Sequence, residues 1–409
     1  MAELYYNKLV GGLSGELWVV QAGVFLNYLG WGAVMPFEVI YLHQGRGFSL
    51  GLAGLVVGVV TGLAVAAAPL AGWAIDRVGA RVTAACSGAA LAAGYLGLAF
   101  AHTPAEALAA AAVAGLGNGG LLPSQSALIV SLARPEIRHR ATAVSRVAAN
   151  LGVALGAALG GLVAARGLNG LVSLLVVNAV TYLLYVGILV ATVRADVRPE
   201  PLAGGYRAVL RSRPFVRLAI TNVAMIAVGW GVFTWIVPAY ASDELGAGAH
   251  LIGALIFVNA TTVVIAQLPV TKLAEGRRRA VTMAIGGVTF VAAALLVVAA
   301  GSLAAPWRSV ALLAAPVLVG VGECFHTTVL MPLVADLAPE GLRGRYMAAT
   351  GLSWWLGLAL APTLWAQGLS VSPAGAMLAA AAVAGGATLS ALALERELPA
   401  AIRLTPMPA

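Results

Sequence analysis

An all-α integral membrane fold, with twelve transmembrane helices in two pseudo-symmetric six-helix bundles, is what this chain of 409 residues predicts. Three observations lead there. Hydrophobic residues make up 61% of the chain and charged residues 10%, and mean hydropathy is +0.93, a balance foreign to water-soluble domains. Crossing a hydrocarbon core of ~30 Å takes about 20 helical residues, and apolar windows of that length recur along the whole chain. The first half of the sequence is also echoed by the second. No stretch alternates with period two over strand lengths, which disfavours a β-barrel.

The windows run at about 15–42, 50–73, 80–101, 105–131, 141–165, 169–193, 214–241, 249–271, 280–301, 308–335, 344–367 and 372–394. Span 1 follows a short polar start, is too long for a signal-peptide core and has no A-x-A cleavage site after it, so it reads as an uncleaved anchor. Cys86 and Cys324 both fall within spans and offer neither a disulfide framework nor metal-ligand spacing. No Ser/His/Asp set, nucleotide loop or metal cluster is present, so neither enzyme activity nor a cofactor is expected.

The net charge of +8 is a matter of topology rather than of nucleic-acid binding. Placing alternate loops in the cytoplasm puts 20 of the 24 Lys and Arg residues there, including Arg77, Arg81, Arg134, Arg138, Arg140, Lys272 and Arg277 to Arg279. Arg46, Arg166 and Arg308 fall outside and Arg146 falls in a span. The bias orients both termini to the cytoplasm of a cell (inner) membrane. The longest loop, 194–214, is a Pro/Gly-broken basic linker with a short amphipathic piece.

GWGAVMPFEVIY (30–41) returns as GWGVFTWIVPAY (229–240) at an offset of 199. LARPEIRHR (132–140) and NLGVALGA (150–157) return as LAPEGLRGR (337–345) and WLGLALAP (355–362) at an offset of 205. Six spans per half is an even number, so both halves enter from the same side as parallel repeats about an axis along the membrane normal. The expected division is 1–193 and 214–409 for the two bundles, with 194–213 as the linker.

Between spans 2 and 3 stands GWAIDRVGAR (72–81). Gly72 and Gly79 suit a tight turn, Asp76 suits a helix N-terminus, and Arg77 and Arg81 suit carboxylates or carbonyls. A charged loop obeying the positive-inside rule would look similar. Joined to twelve spans and a half-length repeat, the pattern GxxxDRxGxR resembles the signature of the major facilitator superfamily. The resemblance covers the whole chain and implies transport by alternating access, with spans 1, 4, 7 and 10 lining a central cavity.

Span 5 reads RVAANLGVALGAALGG, with Gly152, Gly156 and Gly160 one turn apart and Arg146 and Asn150 before them. Small residues at this spacing let helix backbones approach, so ordinary GxxxG packing is one reading. The run also resembles the GxxxGPxxGG motif of drug:proton antiporters, with Ala157 in the proline's place and Pro362 at the equivalent point of span 11. Span 4 departs further, because Ala111 stands where related antiporters carry the arginine of RxxxGxG. Ser131 likewise replaces the family's acidic residue at the end of span 4, whereas its repeat-mate is Asp336. Arg146 and Asn150 read as interdomain or motif-loop contacts rather than substrate ligands.

The repeat pairs AGLGNGG (114–120) with VGVGECF (319–325), and so Asn118 with Glu323. The resemblance then puts Glu323 near mid-membrane on a cavity-lining span. An ionised carboxylate in lipid costs several kcal/mol, so Glu323 must face a cavity, find a partner or stay protonated. A carboxylate alternately shut in and opened to water can take up and release a proton. A structural hydrogen bond between helices is the competing reading. His326, one turn on, is a relay candidate or a packing residue. Glu38 lies near the outer end of span 1, where its side chain could reach water, and is a further proton-coupling candidate. Tyr28 and Trp31 of span 1, with Trp230 and Phe233 of span 7, could form a lipophilic cavity wall with Asn118 and Glu323. Phe37, Tyr41, Trp235 and Tyr240, near span ends, read as interfacial belt residues.

The expectation is a monomeric, proton-driven efflux transporter of lipophilic or cationic small molecules. Its partners would be substrate, protons and the lipid bilayer, with no nucleic acid. A symporter for a small metabolite or peptide, or a lipid-linked flippase, is the alternative on the same fold. Single-cysteine labels at Glu3, Gly205 and Thr405 should react only from the cytoplasmic side, and one at Glu244 only from outside. Labelling of position 205 from outside would break the topology.

Overall fold

A computed structural model describes residues 13–133, 138–193, 207–339 and 342–405. Among them, twelve helices are long and apolar enough to cross a membrane. Span 1 is Gly15–Gly45 and span 7 is Arg213–Asp243. Spans 2 to 6 are Leu50–Val78, Ala80–Phe100, Pro104–Leu132, Arg138–Ala164 and Leu168–Thr192. Spans 8 to 12 are Ala249–Ala274, Arg279–Ala300, Ala305–Leu337, Arg343–Val371 and Pro373–Glu397. Part of the expected linker, 194–206, lies outside the described residues, and Arg207–Arg211 forms a short helix.

Local chemistry sets the helix boundaries. Ser14 caps span 1 by accepting from Leu17 N at 3.2 Å. Thr103 and Glu106 form a reciprocal capping box at span 4, with Pro104 in the first turn, where its missing N–H costs nothing. Gly79, at φ 93°, makes the turn between spans 2 and 3 in a conformation that a side chain would strain. Gly72 does not share in that turn. It lies inside span 2, and a Cβ there would meet open space.

Contacts divide the described chain into two compact units. The first takes residues up to Phe37 and those from Val59 through span 6; the second takes Glu38–Gly58 with spans 7 to 12. The expected division had Glu38–Gly58 in the first bundle and Arg207–Arg213 in the linker, and both segments fall in the second unit. Glycines in the outer part of span 2 explain the first difference: a Cβ at Gly54 would overlap the Pro362 carbonyl, and one at Gly58 would overlap the Thr363 hydroxyl, both on span 11.

In the first unit, span 1 packs on spans 5 and 6, and span 3 on spans 4 and 6. The span 5 glycines make the first of these contacts. A Cβ on Gly152 would stand 2.6 Å from the Phe25 carbonyl oxygen, one on Gly160 2.5 Å from that of Ala33, and one on Gly156 would overlap that of Leu29. In the second unit, span 9 packs on spans 10 and 12, span 8 on span 10, and span 7 on span 11.

Gly156→Leu should therefore destabilise the purified protein by about 1–3 kcal/mol through overpacking, read as a fall in thermal midpoint. Gly72→Ala should stay within about 0.5 kcal/mol. Equal effects from the two would contradict the packing described.

Candidate functional site

Span 7 begins the site. Pro238 has no N–H and crowds the carbonyl four residues before it, and the preceding segment, Ile226–Ile236, is wound as a π-helix. Trp230 lies in this widened stretch. Its indole hydrogen-bonds the carboxyl of Glu323 on span 10, and its ring centroid stands 5.9 Å from that of Trp354 on span 11.

Span 8 closes on the same carboxyl because span 10 has no side chain at Gly320. A Cβ there would stand 3.1 Å from the Asn259 carbonyl oxygen and 3.0 Å from Thr262. This close approach lets Asn259 Nδ2 donate to Glu323 Oε1 at 3.3 Å and to the Pro316 carbonyl at 3.4 Å. Glu323 is partly exposed near the middle of its 33-residue helix. The second unit thus assembles one carboxyl, one amide and two indoles, all on its own spans. An ionised carboxyl here accepts from an amide and an indole; a neutral one can also donate. Aromatic faces beside a carboxylate form the usual chemistry for an organic cation.

Each of the other candidates has its own surroundings. His326 is 1% exposed, and its Nε2 has no hydrogen-bond partner among the described atoms. Glu38 does not reach water: it is buried and accepts from Trp235 Nε1 at 2.8 Å. Phe37, Tyr41, Trp235 and Tyr240 are likewise buried rather than set out as an interfacial belt, Trp235 spending its N–H on Glu38 and Tyr41 accepting from Arg46 Nε at 2.6 Å. Phe233 is buried as well. In the first unit, Tyr28 and Trp31 meet edge to face at 6.0 Å, and Asn118 is partly exposed on span 4. Arg146 and Asn150 are exposed, off the packed line of Gly152, Gly156 and Gly160.

At the motif loop, Arg77 lies over the Trp73 ring at 4.8 Å and Arg81 Nη2 donates to the Val190 carbonyl at 2.7 Å. The Asp76 side chain lies outside the described residues. Ser131 bonds back to the Leu128 carbonyl at 2.8 Å, whereas its repeat-mate Asp336 holds the buried Arg279 at 2.7 Å. At this matched position the second unit has an ion pair where the first has a serine bonded to its own helix.

A family model described as Major Facilitator Superfamily matches residues 22–362 and 218–409. The chain belongs to the Major Facilitator Superfamily. Superfamily relatives agree: the chain is 28% identical over 347 residues to the uncharacterized MFS-type transporter YttB of Bacillus subtilis, covering 81% of this chain and 84% of the relative. It is 24% identical over 352 residues to the multidrug resistance protein MdtH of Aeromonas hydrophila, covering 83% and 84%. Among superfamily structures, a peptide transporter POT superposes with a TM-score of 0.76 at 18% identity, covering 92% of this chain and 93% of that one. The nucleoside transporter NupG superposes at 0.78 and 13% identity, covering 94% and 100%. At such identities the superpositions speak for the fold alone. The chain is a multi-pass membrane transporter and not an enzyme.

Asn259 and Trp354 complete the site and escaped the sequence reading. Their signals were present: an amide in the middle of an apolar span, and the indole pair in GLSWWLG (351–357). Asp336→Ala should strip the buried Arg279 of its carboxylate and cost about 1–3 kcal/mol in chemical denaturation. Ser131→Ala should cost less than about 0.5 kcal/mol. Reversed magnitudes would contradict the stabilising role of the Asp336–Arg279 pair.

Proposed function

We propose that this transporter exports lipophilic cations in exchange for protons, as a monomer in the cytoplasmic membrane with both termini inside. The observation that carries the reading is the single Glu323 carboxyl held in mid-span by Asn259 and Trp230, with Trp354 beside the Trp230 ring. A cation and a proton cannot both neutralise one carboxylate, so each displaces the other, and that competition is the stoichiometric core of antiport. A symporter would need the two to bind together. The multidrug resistance name carried by the MdtH relatives supports the same direction.

In this scheme a proton from outside neutralises Glu323 and releases the cation outward. After the change of access, the proton leaves to the cytoplasm and a new cation binds. The proton gradient supplies the energy, and no cofactor takes part.

Ethidium uptake into inverted vesicles tests this. Glu323→Gln fixes the neutral form, so gradient-driven accumulation should fall to background and the pH dependence of ethidium binding should flatten. His326→Gln should act more mildly. Accumulation against a gradient by Glu323→Gln with the wild-type pH profile would refute the assignment.

A further inference from the structure

Below Glu323, toward the ends of spans 8 and 10 that basic residues mark as inner, the contact between the two helices is polar. Gln267 Nε2 donates to Thr328 Oγ1 at 3.0 Å and to Thr271 Oγ1 at 3.3 Å. The Thr271 and Thr328 hydroxyls stand 3.2 Å apart. Thr327 Oγ1 lies 3.5 Å from Gln267 Oε1 and donates to the Glu323 carbonyl at 2.8 Å. Asn259, Gln267 and Thr271 fall at helical spacing on one face of span 8, and the set follows span 8 for ~18 Å. All are partly exposed.

The internal repeat supplies the control. Spans 2 and 4 of the first unit pack as spans 8 and 10 do: Gly115 meets Val60 and Leu63 where Gly320 meets Asn259 and Thr262, and Gly119 meets Ala64 where Cys324 Sγ meets the Val263 carbonyl. In that register Asn259, Gln267 and Thr271 correspond to Val60, Ala68 and Gly72. Thr327 and Thr328 correspond to Leu122 and Pro123. The same helix contact is built without these amides and hydroxyls, so packing does not require them in the second unit.

We infer that this seam carries the proton between Glu323 and the cytoplasmic side. The inference rests on proton coupling at Glu323. In the outgoing step the Glu323 O–H bond breaks, its electron pair stays on the carboxylate, and the proton passes to water held by the seam and then to bulk. Hydroxyls both donate and accept, and the two ends of an amide do the same, so the seam can hold such water in either orientation. At this depth Cys324 and His326 are the other titratable groups on span 10. Spans 7, 8, 9 and 11 bring none there among the described residues, their charges Arg217, Lys272, Arg279 and Arg345 standing at the inner ends. A route from Glu323 along this seam therefore meets polar neutral groups first and fixed charge only at its mouth.

The test is Gln267→Leu combined with Thr328→Val, in proteoliposomes with ethidium as probe. Ethidium–ethidium exchange without a pH gradient never requires the proton to leave, so it should stay within about twofold of wild type. Uptake driven by a pH gradient should fall about tenfold or more. Thr328→Ser, which keeps a hydroxyl, should retain driven uptake. Driven uptake at the wild-type rate in the double variant overturns the route. A parallel loss of exchange and driven uptake also overturns it, because the seam would then serve folding or the conformational change. Wild-type protein that exchanges ethidium yet ignores the gradient would remove proton coupling itself, an outcome distinct from a failed seam.

Discussion

Hydrocarbon offers no hydrogen bonds, so every polar group within a span has to be met by the protein or by cavity water. Much of the described structure meets this rule with its own backbone. Hydroxyls fold back onto their own helices, as Thr83 does to the Gly79 carbonyl, Ser124 to Gly120 and Thr388 to Ala384. Helix contacts are made by bare backbone, as where Gly152, Gly156 and Gly160 lie on span 1. Glu323 is met from neighbouring spans instead, and the close approach of span 8 at Gly320 supplies it with Asn259.

The two halves of the repeat met this constraint differently. Where the first half has Asn118, Val60 and Ser131, the second has Glu323, Asn259 and Asp336. The shared positions keep the shared packing, and the divergent ones carry charge and hydrogen bonds. Divergence at matched positions of a duplicated scaffold separates what the fold needs from what one half adds, without any other protein for comparison.

Much of the fold was legible in the sequence because hydrophobic length and small-residue spacing are local properties. The twelve spans, the turn at Gly79 and the span 5 glycines needed no tertiary information. What the sequence hid depends on facing. Glu38 looked able to reach water because it stands near a span end, yet a distant residue, Trp235, meets it and both are buried. Glu323 and His326, three positions apart, looked like one face, yet only Glu323 is partly open. Asn259 gained meaning only when Gly320 showed how close span 8 comes. The π-helical winding before Pro238, which carries Trp230, follows from the proline in kind but not in extent.

The central claim is that one carboxyl serves cation and proton in turn. Proton release on ethidium binding, followed with a pH dye in weakly buffered detergent solution, tests it most directly. The account predicts about one proton released per ethidium bound by the wild-type protein near the pH at which Glu323 is protonated, and none by Glu323→Gln. Undiminished release from Glu323→Gln would place the coupled proton elsewhere and contradict the account.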